Sequence, residues 1–183
     1  MSDELMIRHC SPTLAGIKTG SLFTCPCRCR QQLTAEICRL NRMLVPKGLR
    51  VLPLRIRQGR ALIYVYRPRV LARDLQDSRA RDLLVSLGYV PERAEQCVIH
   101  LIRRLAAQQD FPHEIGLFLS YPPEDVLGFI RHGADCAKCV GCWKVYGDEE
   151  TARTTFARYQ LCTRAYDLQW RQGSTLQGLT VAV

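Results

Sequence analysis

Val51-Leu52-Pro53-Leu54-Arg55-Ile56-Arg57-Gln58-Gly59-Arg60-Ala61-Leu62-Ile63-Tyr64-Val65-Tyr66 carries the strongest fold signal in the chain. Leu52, Leu54 and Ile56 alternate with Val51, Pro53, Arg55 and Arg57, the period of a half-buried strand, and Gln58-Gly59 supplies a two-residue turn into a second apolar run. The spacing predicts a β-hairpin. Before it, the period is helical. Ser11-Pro12 reads as the cap and first residue of a helix carrying Leu14, Ile17 and Leu22, which sets Cys10 just before a helix N-terminus. Ile37, Leu40 and Leu44 share one face of a helix over residues 34–44, and Gly48 stops it.

Beyond the hairpin, helical patterns cover residues 70–76 and 79–87, and a third opens at Pro91 with Ala94, Val98, Leu101 and Leu105 inward. Residues 114–120 are short, apolar and closed by Tyr121-Pro122-Pro123, so they read as a buried strand. Residues 124–132 read as a short helix and 142–146 as a strand. Asp148 caps a last helix with Phe156, Tyr159 and Tyr166 as its apolar stripe, and residues 176–183 read as an edge strand. No repeat, low-complexity tract or linker intervenes. The expectation is a single domain over residues 1–183, α+β, with a small mixed or antiparallel sheet flanked by helices.

The formal charge of +9 comes mainly from arginine, with lysine only at Lys18, Lys47, Lys138 and Lys144, and it is spread along the chain. Such spread charge is a weak argument for nucleic acid, which is not an expected partner. Arg55, Arg57, Arg60, Arg67 and Arg69 surround Tyr64 and Tyr66, a pattern that can stack and neutralise a single strand. A solvated strand face with half-buried tyrosines accounts for it as well, and no RNA-recognition motif accompanies it. Glycine-rich phosphate loops are absent. The start, Met1-Ser2-Asp3-Glu4-Leu5, is acidic and no apolar run approaches a bilayer span, so the expectation is a cytoplasmic protein without a membrane segment. In that compartment ten cysteines mean metal ligands, reactive thiols or buried apolar residues rather than disulfides.

Three stretches go further than pattern. Cys10-Ser11-Pro12-Thr13-Leu14-Ala15-Gly16-Ile17-Lys18, the run from Phe111-Pro112-His113-Glu114-Ile115-Gly116 through Tyr121-Pro122-Pro123-Glu124-Asp125-Val126 to Gly128-Phe129-Ile130, and Trp143-Lys144-Val145-Tyr146-Gly147-Asp148 resemble a domain-of-unknown-function family of anaerobic Gram-positive bacteria. The likeness covers nearly the whole chain. The resemblance implies no established activity. It implies a gene context with flavodoxins and iron uptake, hence an acidic protein partner such as a flavodoxin, drawn to a basic surface. Cys142, at a position commonly tyrosine, and the Cys25-Pro26-Cys27-Arg28-Cys29 cluster depart from the family pattern.

Two thiol chemistries compete. In the first, Cys10 is a nucleophile activated by a helix start, His113 its base, and Glu114 or Asp148 the orienting carboxylate, as in papain-like hydrolysis or acyl transfer. This requires the segments at Cys10, His113 and Trp143 to Asp148 to meet at one site. In the second, Cys136-x-x-Cys139-x-x-Cys142 holds zinc or an iron–sulfur cluster, completed by Cys25, Cys27 or Cys29. Against both stands the plainer reading, in which Cys10 is a small core residue and His113 packs at the entrance to its segment. A non-enzymatic protein-binding module also fits.

Overall fold

A computed structural model describes residues 2–107 and 111–182. The protein is α+β, with small antiparallel sheets flanked by helices. From the N-terminus come α1 (Asp3–Leu14), β1 (Gly20–Pro26), α2 (Arg30–Leu44), β2 (Arg50–Arg57) and β3 (Arg60–Tyr66). Then follow α3 (Pro68–Asp74), α4 (Ser78–Ser86), α5 (Ala94–Ala107), a 3-10 segment His113–Leu119 and α6 (Pro123–His132). The two-residue strands β4 (Cys139–Val140) and β5 (Lys144–Val145), then α7 (Glu149–Arg171) and α8 (Leu176–Leu179), complete the order. No described helix is long and apolar enough to cross a membrane.

The chain divides into two compact units, Met1–Arg69 with Leu161–Val183, and Val70–Gln160. Both divisions fall inside helices, α3 and α7, which is why no linker composition marks them in the sequence.

In the first unit the strands lie in the order β1-β3-β2, all antiparallel. Phe23, Cys25, Val51, Ala61, Ile63 and Val65 join a core with Met6, Ile7, Cys10 and Leu14 of α1, Leu33, Ile37, Leu40 and Leu44 of α2, and Leu176 and Leu179 of α8. The hairpin forms as expected, but its alternation is broken. The register passes from Pro53 opposite Ile63 to Arg55 opposite Leu62, leaving Leu54 as a bulge beside a proline that has no N–H for the ladder. The bulge lets Val51 and Ile56 serve the same core although they lie five positions apart, an odd offset that would otherwise put them on opposite faces.

Four expectations about secondary structure fail, each for a physical reason. Helix α1 begins at Asp3, with the Ser2 hydroxyl accepting from Leu5 N–H, and Pro12 lies inside it; Met6, Ile7, Cys10 and Leu14 form a single helical stripe. Residues 20–26, read partly as helix, are strand β1, whose partner β3 lies some forty residues away. Residues 113–119 form a 3-10 helix rather than a strand, since a short, fully buried apolar run shows no period. Its Gly116 is required by contact, because a Cβ there would lie 2.7 Å from Val126 Cγ2 and 2.9 Å from Tyr121 Cδ2. The tail forms helix α8, capped by the Thr175 hydroxyl, in place of an edge strand; Val183, the last residue of that expected strand, lies outside the described residues.

Arg67 closes the first unit. It is 1% exposed, and its guanidinium donates to the carbonyls of Thr13 (2.8 Å), Leu14 (2.8 Å), Val181 (2.8 Å) and Lys47 (3.3 Å). Lys47 Nζ in turn donates to Gln177 O and to Thr180 O. The carbonyls of Thr13 and Leu14 at the end of α1, with those of Lys47 and Val181, thus stand in for a counter-ion. Burial lowers the pKa of Arg67 from its ordinary value.

Candidate binding cleft of the second unit

The second unit is organised by two buried carboxylates. Asp125, 2% exposed in the first turn of α6, accepts the Trp143 indole N–H at 2.6 Å through Oδ2 and the backbone N–H groups of Tyr146 and Gly147, each at 2.7 Å, through Oδ1. This pins the β4–β5 hairpin to α6. Tyr146 adds a second clamp by donating its hydroxyl to Gly133 O. Glu114, 3% exposed, accepts from the Tyr89 hydroxyl at 2.8 Å and lies 2.6 Å from Arg104 Nε. The Arg104 contact is an ion pair by distance but makes no well-directed hydrogen bond. Burial, with the Glu114 carboxylate beside it, raises the Tyr89 pKa far above the usual phenol range.

Between these anchors opens a cleft of about 180 Å³. Its walls are Phe111, Ile115, Tyr121, Val126, Phe129 and Trp143, and its polar positions are His113, Lys144 and the already committed Asp125. Tyr121 stacks on Trp143 at 4.9 Å between ring centroids, Trp143 meets Phe156 edge-on at 4.5 Å, and the His113 ring meets Phe129 edge-on at 4.8 Å. Lys144 Nζ stands 5.9 Å from the Phe129 centroid. The Tyr121 phenol, pushed up to about 12 by burial, stays protonated and donates to Cys142 O. Phe111, Tyr121, Phe129 and Lys144 carry no role in a reading of the sequence that looks for nucleophiles and ligands. The signal was the aromatic content of the same motifs.

The residues singled out for thiol chemistry have the following surroundings, each within its own unit. Cys10 belongs to the first unit, in the body of α1, fully buried, and burial pushes its thiol up to about 12. The helix-start activation expected for it is therefore missing. His113, Glu114 and Asp148 belong to the second unit. Glu114 is held by Tyr89 and Arg104, and Asp148 caps α7 by accepting from the Thr151 backbone N–H (3.1 Å) and hydroxyl (2.7 Å), bonds that lower its pKa. Neither carboxylate has a hydrogen bond to His113 among the described residues. Cys136 precedes β4, Cys139 lies in it and Cys142 falls in the turn before β5, yet among the described residues no group of three or more His, Cys, Asp or Glu side chains could hold a metal ion. Tyr64 and Tyr66, stacked on each other at 4.6 Å, are 0% and 3% exposed, and Arg67 is internal, so the tyrosines are buried rather than half-buried and offer no face for stacking bases.

Fold and cleft together define a helix-rich α+β protein with a small aromatic-walled cavity in its second unit. The chain belongs to the family described as Protein of unknown function (DUF3793), which matches residues 6–180. No curated protein and no solved structure matches the chain.

Proposed function

We propose that the second unit is a non-catalytic binding module whose cleft takes a ring-sized apolar group bearing a carboxylate. The observation that carries this reading is the pairing of aromatic and aliphatic walls with Lys144 and His113 at the polar positions, while Asp125, the one lining carboxylate among the described residues, is occupied by three internal donors. A cavity near 180 Å³ suits one ring and its substituent, because an engineered cavity of about 150 Å³ accepts benzene. The lysine opposes a cationic guest and favours an anionic one. Every wall of the cleft lies within the residues that the family model matches.

The test is fluorescence titration of Trp143 in a Trp170→Phe background, which leaves one indole. Phenylacetate is expected to perturb the emission saturably, benzylamine not at all, and Lys144→Gln to weaken phenylacetate by about tenfold, the value of one charge-assisted hydrogen bond. Equal response to phenylacetate and benzyl alcohol, or none to either, overturns the proposal.

A further inference from the structure

The far end of the hairpin carries a second cavity, of about 330 Å³, lined by Thr24, Arg55, Arg57, Gln58, Arg60 and the apolar floor of Ala61 and Leu62. The register explains its charge. Arg57 faces Arg60 directly across β2 and β3, and Arg55, opposite Leu62 and two residues before Arg57 in a regularly paired stretch, lies on the same face. Like charges placed directly opposite repel. Among the described residues none of these three arginines makes an ion pair, whereas other surface arginines do: Arg39 with Asp3 and Glu36, Arg81 with Glu92, Arg153 with Glu149. Arg60 Nη2 donates only to the Thr24 hydroxyl, at 2.8 Å.

The turn fixes this arrangement. Gln58 (φ 50°) and Gly59 (φ 70°) both hold left-handed backbone, which for glutamine is uncommon and costs conformational energy. Cys27 N–H donates to Gly59 O at 2.7 Å, tying the turn to the end of β1. Two guanidinium groups are thus kept opposite each other on a short, tied turn, with a third beside them, over a concave floor and without an internal anion.

We infer that this cavity binds a compact phosphate-bearing anion, of the pyrophosphate class. Guanidinium forks match the oxygens of phosphate, several converging on one ligand favour multiple negative charge, and binding would relieve the repulsion between Arg57 and Arg60. An extended nucleic-acid strand is the less suited occupant, because the neighbouring tyrosines that could stack bases are buried.

The experiment is isothermal titration of the full chain with pyrophosphate, inorganic phosphate and a short oligothymidylate at one low salt concentration. Wild type is expected to bind pyrophosphate more tightly than phosphate. Arg57→Gln combined with Arg60→Gln is expected to weaken pyrophosphate at least tenfold, Arg57→Lys to weaken it less, and Arg131→Gln, exposed in the second unit, to leave it unchanged. Without ligand, Arg57→Gln alone should raise the melting temperature, a sign that a merely disruptive substitution cannot give. Absence of pyrophosphate binding, equal loss with Arg131→Gln, or tighter binding of the oligothymidylate that the same pair of substitutions abolishes, each overturns the inference.

Discussion

The Trp143 indole donates to Asp125 Oδ2 at 2.6 Å, so the one tryptophan of the cleft is oriented by a carboxylate whose other oxygen holds the backbone of the next turn. Asp125→Asn keeps the shape but can present an amide N–H toward a donor on one side or the other. A loss of about 2–4 kcal/mol is expected from a buried, charge-assisted network broken in this way, read by chemical denaturation. A change below about 0.5 kcal/mol would show that the three bonds are not made together.

Gly116 lines the same cleft where its backbone meets Val126 and Tyr121. Gly116→Ala should destabilise by about 1–3 kcal/mol, the usual cost of overpacking, and shift Trp143 emission through its stacked neighbour Tyr121. If stability and emission both stay at wild-type values, the close approach is not real.

Arg67 should resist replacement more than any other arginine. Lysine cannot reach carbonyls in several directions at once, so Arg67→Lys is expected to cost about 2–4 kcal/mol and Arg67→Met at least as much, measured by thermal and denaturant unfolding. Hydrogen exchange at residues 176–182 should rise in the same variants, and unchanged exchange there would separate Arg67 from the tail.

His9 stacks on Phe23 at 5.2 Å with nearly parallel rings, and burial, helped by Arg8, lowers its pKa below 6.5. The unfolded chain therefore binds the proton more readily. Stability contributed by the neutral imidazole is full above pH 6.5 and is lost as pH falls from there through the lower folded pKa. His9→Gln should flatten that limb of the stability–pH curve, and an unchanged slope would assign it to another group.

Cys10 should be the slowest thiol to alkylate in the native state, and Cys38, Cys136 and Cys142, all exposed, among the fastest. Mass-spectrometric mapping near neutral pH checks this. Rapid, selective labelling of Cys10 would restore the nucleophile reading.

Local signals were legible wherever period, turn and cap agreed. The turn at Gln58-Gly59 fixed the hairpin, Asp148 announced α7, and Ile37, Leu40 and Leu44 traced α2. What escaped depended on distant partners or on contacts: β1 exists because β3 lies beside it, and the 3-10 segment because α6 presses on Gly116. The cleft was half visible. His113 and Trp143 sit in recognisable motifs, but Cys10 and the three clustered cysteines carry the stronger spacing patterns, whereas the aromatic side chains that form the walls come together only in three dimensions.

The first unit is finished by residues 161–183, which come after the whole of the second unit in the chain. During synthesis, residues 70–160 emerge as one continuous stretch of chain, while the sheet, α1 and α2 wait for α8 and for the carbonyls of residues 177, 180 and 181 that Arg67 and Lys47 grip. The continuous second unit can thus begin to fold before the discontinuous first unit, which reaches its final form only after residues 176–181 have been made.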